Sequence, residues 1–283
     1  MAQRLLLRGL LAGAIAGLLA FVFARVFAEP VISRAIDYES ARDAAQSTLD
    51  KALGLPVYPE DHEIFSRTIQ ANLGIGAGMI LFGAAMGILF AVVYAVCLGR
   101  TGLLRPRTLS VLLAGGGLLA IYLVPFVKYP ANPPSIGHAD TIKERSGFYL
   151  LMVLASIVFL VLAVLLGKKL QSRCGNWNAS LIAGGAFVVA IGVVMALLPQ
   201  FGMLATNVAT YGAHATETPL PLTDAKGVIV FPGFPADDLY SFRLYSVTAQ
   251  LILWSALGLI FAPLAERLLR PAGQVSDRET VVV

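Results

Sequence analysis

The sequence predicts an all-α polytopic membrane protein, a bundle of six transmembrane helices with both termini in the cytoplasm. Three observations carry that reading. Six apolar segments divide the chain, at 9–27, 73–98, 108–127, 148–166, 179–198 and 247–264, and each approaches or exceeds the ~20 residues a helix needs to cross a ~30 Å hydrocarbon layer. Hydrophobic residues make up 57% of the 283 and charged residues only 13%, outside the range of ordinary globular domains. The loops between the segments alternate in charge.

That alternation sets the orientation. Arg4 and Arg8 precede segment 1, Arg100, Arg105 and Arg107 separate segments 2 and 3, Lys168, Lys169 and Arg173 separate 4 and 5, and Arg267, Arg270 and Arg278 follow segment 6. Short basic loops stay in the cytoplasm. The other three loops, 28–72, 128–147 and 199–246, then face out and hold most of the acids. The net charge of +4 therefore reports topology and not nucleic-acid binding. Residues 1–270 read as one membrane domain and 271–283 as a disordered cytoplasmic tail. Cys97 and Cys174 fall on the cytoplasmic side, where a disulfide is not expected, and lack metal-site spacing.

Segment 1 follows two arginines and ends in Val26-Phe27-Ala28, which also fits a signal peptide. Its glycines at 9, 13 and 17 favour a retained helix, because four-residue spacing builds a packing face that a discarded peptide does not need. Gly74, Gly78, Gly83 and Gly87 repeat the pattern in segment 2, so segments 1 and 2 should pack closely.

In the first outer loop, residues 33–53 read as a helix on the membrane surface, stopped by Pro56 and Pro59. Glu60 and Asp61 then head a helix that runs into segment 2, where acids complement the dipole. The loop after segment 3 reads Lys128-Tyr129-Pro130-Ala131-Asn132-Pro133-Pro134. Its prolines remove donors and chain freedom, so an extended, rigid crossing is expected. The last outer loop is long and rich in Gly and Pro, and its end caps segment 6. Long ordered loops often carry function.

Three stretches of this chain resemble the CbtA family of predicted cobalt transporter subunits. The first is Gly9, Ala12-Gly13, Ala16-Gly17 and Ala20-Phe21, with Glu29-Pro30 and Ala35-Ile36. The second is the Lys-Tyr-Pro-x-Asn-Pro-Pro run at 128–134, the most specific match, with Thr141-Ile142, Arg145 and Tyr149. The third is Phe234-Pro235-Ala236, Leu239, Phe242-Arg243, Ser246, Gln250, Trp254, Gly258-Leu259 and Ala265-Glu266-Arg267. The resemblance implies a multi-pass protein of a bacterial inner membrane. It implies import of Co2+ for cobalamin synthesis beside a small His-rich single-span partner of the CbtB-like kind.

The residues themselves allow a cation substrate, Co2+ or Ni2+, with no resident cofactor. The three histidines, His62, His138 and His214, lie one in each outer loop. With Glu29, Asp237 and Asp238 they form the candidate metal set, since imidazole, carboxylate and water suit a borderline divalent ion. The alternative is that polar residues simply collect in outer loops and that Asp237 and Asp238 complement a helix dipole. No Asp, Glu or His sits at the core of any segment. Cation binding should therefore be weak, external and salt-sensitive.

The pathway or structural candidates are Lys128, Tyr129, Pro130, Asn132, Pro133, Pro134, Tyr122, Arg243 and Gln250, with interhelical hydrogen bonding as the alternative for Tyr122 and Gln250. The 128–134 run is expected to form a lid, with Arg243 close by and paired to an acid such as Glu29 or Glu39. The chain has no nucleotide-binding P-loop sequence and no Ser/His/Asp motif, so no enzymatic activity is expected. A second function class stays open, a membrane scaffold that binds a partner through its outer loops and has no pathway of its own.

Overall fold

The computed structural model describes residues 2–56, 65–102, 104–214 and 216–269. The expected tail, 271–283, lies outside them. The regular structure of the described chain is helical apart from one short two-stranded ribbon. The helices are α1 (Ala2–Phe23), α2 (Glu29–Ala52), α3 (Arg67–Ile69), α4 (Ile75–Cys97), α5 (Pro106–Gly117), α6 (Val124–Lys128), α7 (Ile142–Leu197), α8 (Ala205–Tyr211) and α9 (Ala236–Leu269). Strands β1 (Leu222–Thr223) and β2 (Ile229–Phe231) pair antiparallel. Wide π-helical turns at Ala24–Ala28, Gln70–Gly74 and Leu118–Leu123 join α1 to α2, α3 to α4 and α5 to α6.

Five helical stretches are long and apolar enough to cross a membrane: Ala2–Ala52, Arg67–Cys97, Pro106–Lys128, Ala139–Thr210 and Ala236–Leu269. The fourth holds both the fourth and the fifth apolar segment. It is not one straight rod. Gly175 inside α7 has φ 73° and ψ 169°, a conformation open to glycine and closed to most residues. In a continuous helix Gly167 and Ala183 would stand about 24 Å apart at 1.5 Å per residue. Instead a Cβ placed on Gly167 would lie 3.4 Å from the Cβ of Ala183, and Met152 and Ile191 share one apolar cluster. The chain turns back at Gly175.

Two expectations about the first long loop are corrected. Its helix starts at Glu29, with Pro30 in the first turn, where a proline needs no donor, and follows α1 through the π turn. It ends at Leu53 and Gly54 (φ 70°), ahead of Pro56, so a left-handed glycine stops it and not a proline. Phe65 and Ser66 are non-helical and the next helix begins at Arg67. Glu60 and Asp61 lie outside the described residues.

The described residues fall into two compact units. The first comprises Met1–Phe23, Arg67–Leu118 and Ala249–Val283. Its seam joins α1 to α4 through facing glycines. A Cβ on Gly9 would strike the carbonyl of Gly87, one on Gly13 would lie 2.8 Å from the Gly87 Cα, and one on Gly83 would lie 2.8 Å from the Gly17 Cα. Backbones touch there, which is how membrane helices gain dispersion energy when lipid is as apolar as leucine. The Gly74 and Gly78 part of the expected pattern does not take part: a Cβ on Gly78 would meet nothing within 4 Å, and one on Gly74 only the Ile69 carbonyl.

On the other side of this unit, Gly258 of α9 lies against Ala114 of α5, and the Ser110 hydroxyl donates to the Gly258 carbonyl at 2.8 Å. Phe261 packs edge-on against Phe90 and Tyr94, at 5.3 and 5.1 Å between ring centroids. Arg107 pairs with Glu266 at 2.5 Å and Arg8 donates to the Leu264 carbonyl.

The second unit comprises Ala24–Ser66 and Leu119–Thr248. Its apolar centre is Val124, Tyr129, Met152 and Ile191. Helix α2 is held within this unit by its polar face. Arg34 pairs with Asp238 at 2.7 Å, the Tyr38 hydroxyl donates to the Pro232 carbonyl at 2.9 Å, and the Tyr38 ring packs on Phe231 and Phe234.

The glycine seam makes a direct prediction. Gly13→Ala should cost about 1–3 kcal/mol by overpacking, because backbone and not a flexible side chain stands in the way. Gly78→Ala, in open space, should be neutral or stabilising by up to about 1 kcal/mol from helix propensity. Thermal unfolding of the purified chain in mild detergent checks both. Equal midpoints for the two variants would contradict the seam.

Candidate functional site

The 128–134 segment begins where α6 must stop. Pro130, Pro133 and Pro134 have no N–H, so the chain leaves α6 at Tyr129, whose own N–H closes the last turn on the Pro125 carbonyl at 2.8 Å. A proline-rich turn keeps all its acceptors and loses donors. Helix ends add further unpaired carbonyls. The sequence answers with long side-chain donors. Lys128 Nζ donates to the carbonyl of Leu198 at the end of α7, at 2.8 Å, and the Tyr129 hydroxyl donates to the Pro199 carbonyl at 2.9 Å. A cation at a helix C-terminus also complements its dipole. Burial raises the pKa of Tyr129, so its hydroxyl stays protonated and remains a donor.

Arg243, in the second turn of α9, reaches the same segment. Its Nε donates to the Ala131 carbonyl at 3.2 Å and its Nη2 to Asn132 Oδ1 at 3.0 Å. The expected proximity is there, but the expected acid partner is not. Glu39 instead accepts from Ser135, a residue held at φ 69°, a conformation that a non-glycine residue adopts only when its surroundings impose it. The guanidinium goes to the Ala131 carbonyl, which no backbone N–H takes among the described residues, and to the side-chain oxygen beside it.

The loop walls two clefts. The larger, about 800 Å3, is lined by Glu39, Tyr122, Arg145 and Tyr149 together with much of the proline segment. The smaller, about 450 Å3, is lined by Lys128, Asn132, Gln200, Glu217 and Arg243 among others. Tyr129 and Phe201 line both. Their rings stack at 4.1 Å and 4° and form part of a common wall. Tyr122 stacks on Phe126 at 5.3 Å, and its buried hydroxyl has no hydrogen-bond partner among the described residues. Gln250 is half-buried in α9, belongs to the first unit and lines neither cleft.

Beneath the loop lies a carboxylate that sequence reasoning did not single out. Glu217 is 1% exposed. One oxygen pairs with Arg145 Nη1 at 2.7 Å, and the other accepts from Asn207 Nδ2 at 2.5 Å and from the Thr141 hydroxyl. Thr141 and Arg145 are one turn apart at the start of α7, so they share a face. Two close approaches bring Glu217 there. A Cβ on Gly202 would lie 2.8 Å from the Thr216 carbonyl, and one on Gly137 would meet Arg145 Nη1 at 2.7 Å. Losing one member of such a buried pair costs about 3–5 kcal/mol, because the other charge is left uncompensated.

Among the described residues the expected metal set is not brought together. His62 lies outside the described residues. His138 Nδ1 accepts from the Asp140 N–H at 3.3 Å, and its Nε2 lies 3.4 Å from the Thr210 hydroxyl. His214 Nδ1 is 2.8 Å from the Gly212 carbonyl. Asp238 is taken by Arg34, Asp237 is exposed in the first turn of α9, and Glu29 is buried at the start of α2. Among the described residues no three His, Cys, Asp or Glu side chains are grouped to hold a metal ion.

A family model described as "Probable cobalt transporter subunit (CbtA)" matches residues 2–266. The chain belongs to the CbtA family. Neither a curated relative nor a solved structure matches it. It is thus a multi-pass membrane protein of a cobalt transporter subunit family. Residues of the second stretch that carried the CbtA resemblance line the clefts, and Arg243 joins them from the third. Lys128, Tyr129 and Asn132 come from the proline run, Arg145 and Tyr149 from the start of α7, and Arg243 from the start of α9. Glu217 had one available signal, the polar face of Thr141 and Arg145, which needs a buried acceptor opposite it.

Proposed function

We propose that this CbtA protein is the membrane subunit of a cobalt uptake system of a bacterial inner membrane, serving cobalamin synthesis. In this reading it passes a divalent cation, works with a small His-rich single-span partner of the CbtB-like kind, and is not an enzyme. The observation that carries the reading is the family match across 2–266. The clefts beside the proline segment are where the chain would receive its substrate from outside, with Tyr122, Tyr129 and Asn132 as neutral polar groups along the way.

We propose further that the chain crosses the membrane six times with both termini in the cytoplasm. The reversal at Gly175 supports this, because it splits the 72-residue stretch Ala139–Thr210 into two arms. Helix directions agree. The C-terminal ends of α6 and α7 meet, through Lys128 with Leu198 and Tyr129 with Pro199. The N-terminal turns of α7 and α9 supply Arg145 to the larger cleft and Arg243 to the smaller one, both beside the proline segment. Alternating crossings bring the ends of the third and fifth helices and the starts of the fourth and sixth to one side.

One observation favours a second reading, a scaffold without a pathway: the described His, Asp and Glu residues do not converge on a metal site.

Vesicles reconstituted with the chain, with and without a His-rich single-span partner, separate the two readings. Co2+ should accumulate above the level of empty vesicles when both are present. No accumulation under either condition, from correctly folded protein, would leave the scaffold reading. The crossing number is checked by reporter fusions. Fusions at Arg107 and Arg173 should score cytoplasmic and those at Lys51 and Lys226 external. Arg173 and Lys226 on the same side would overturn six crossings.

A further inference from the structure

The smaller cleft carries the wrong charge for a resident cation. Of the described residues that line it, Lys128 and Arg243 are positive and Glu217 alone is negative. Glu217 is already committed to Arg145, Thr141 and Asn207. Lys128 and Arg243 hydrogen-bond only to neutral acceptors, the Leu198 and Ala131 carbonyls and Asn132 Oδ1. Two half-buried cations thus line one recess without a counter-charge of their own among the described residues. Burying a charge is costly unless it is paired. The open donors have a definite geometry. Arg243 uses Nε and one Nη2 hydrogen on the loop, which leaves the Nη1 and Nη2 edge. That edge is the planar fork that grips two oxygens of one oxyanion. Lys128 uses one of its three ammonium hydrogens. A volume of about 450 Å3 lies within the usual range of small-molecule sites.

We propose that this cleft binds a small oxyanion, a carboxylate or a phosphate, between Lys128 and Arg243, with Gln200 and Asn132 at its margin. The proposal goes beyond the cation reading, since it concerns the opposite charge and holds whether or not the chain passes cobalt. A divalent cation would enter this recess only in company with such an anion.

The test uses the full chain, purified in lipid-free nonionic detergent and titrated calorimetrically in chloride buffer with citrate and, separately, with inorganic phosphate. Saturable binding of one or both is expected. Lys128→Gln and Arg243→Gln should each weaken it at least about tenfold, equivalent to about 1.4 kcal/mol. Lys226→Gln, in the exposed turn between β1 and β2, should leave it unchanged. Asn132→Asp keeps the fold under test, because it turns the 3.0 Å bond with Arg243 into an ion pair. It should hold or raise the melting temperature while abolishing anion binding. Preference for citrate assigns a carboxylate ligand and preference for phosphate a phosphoryl ligand. Absence of binding by the wild type, or binding that survives Asn132→Asp in full, overturns the site.

Discussion

Backbone polar groups must be satisfied within the protein wherever water is scarce, and this constraint shapes the structure more than any single contact. Helices meet it by themselves. A break in a helix does not, and the chain breaks around Tyr129 and again around Pro199. At both places the missing backbone donors are replaced by side chains. Lys128 and Tyr129 serve the end of α7, and Arg243 serves the proline segment. The three donors come from residues the resemblance already contained, so the motif reads as a solution to a hydrogen-bonding problem before it reads as a ligand set.

The same economy explains the rest of each unit. In the first, α1 and α4 gain contact by removing side chains at Gly9, Gly13, Gly83 and Gly87 until backbones touch. In the second, a buried carboxylate is admitted because three groups answer for it: Arg145, Thr141 and Asn207. The network ties the start of α7 to Asn207 and Glu217, although Arg145 Nε and Asn207 Oδ1 find no hydrogen-bond partner among the described residues and Glu217 Oε2 has only the Arg145 ion pair. Arg243 holds the proline segment directly, and the Glu217 network holds the chain just past it, where Thr141 and Arg145 donate to the His138 carbonyl. The segment's rigidity keeps Lys128 and Arg243 facing one cleft.

Much of this was legible in the residues. Apolar run lengths give the helices, glycine spacing gives half of the seam, and Lys128 to Pro134 announces a rigid turn beside Arg243. The misses have physical reasons. Gly74 and Gly78 carry the same spacing as Gly83 and Gly87, but spacing does not say which face meets a neighbour. Arg243 was matched to Glu29 or Glu39 because charge is visible in a sequence. The orphaned carbonyls of Ala131 and its neighbours are not. Glu217 was one acid among several in a long segment, and nothing local marks it as buried; its partners lie 10 to 76 positions away. The histidines, one per loop, suggested a shared site, yet the described ones are occupied with nearby hydroxyl and backbone groups.

The central claim is that the Glu217 network fixes the proline segment by holding the chain just past it. Hydrogen–deuterium exchange of the segment's amides in the detergent-solubilised chain measures it most directly, with Glu217→Gln as the comparison. The account predicts slow exchange at Tyr129 and Ile136 in the wild type, whose N–H groups donate to Pro125 and Pro133. It predicts exchange at least about tenfold faster in the variant, since each tenfold corresponds to about 1.4 kcal/mol of lost local stability. Equal exchange rates at these amides in the two proteins would contradict it.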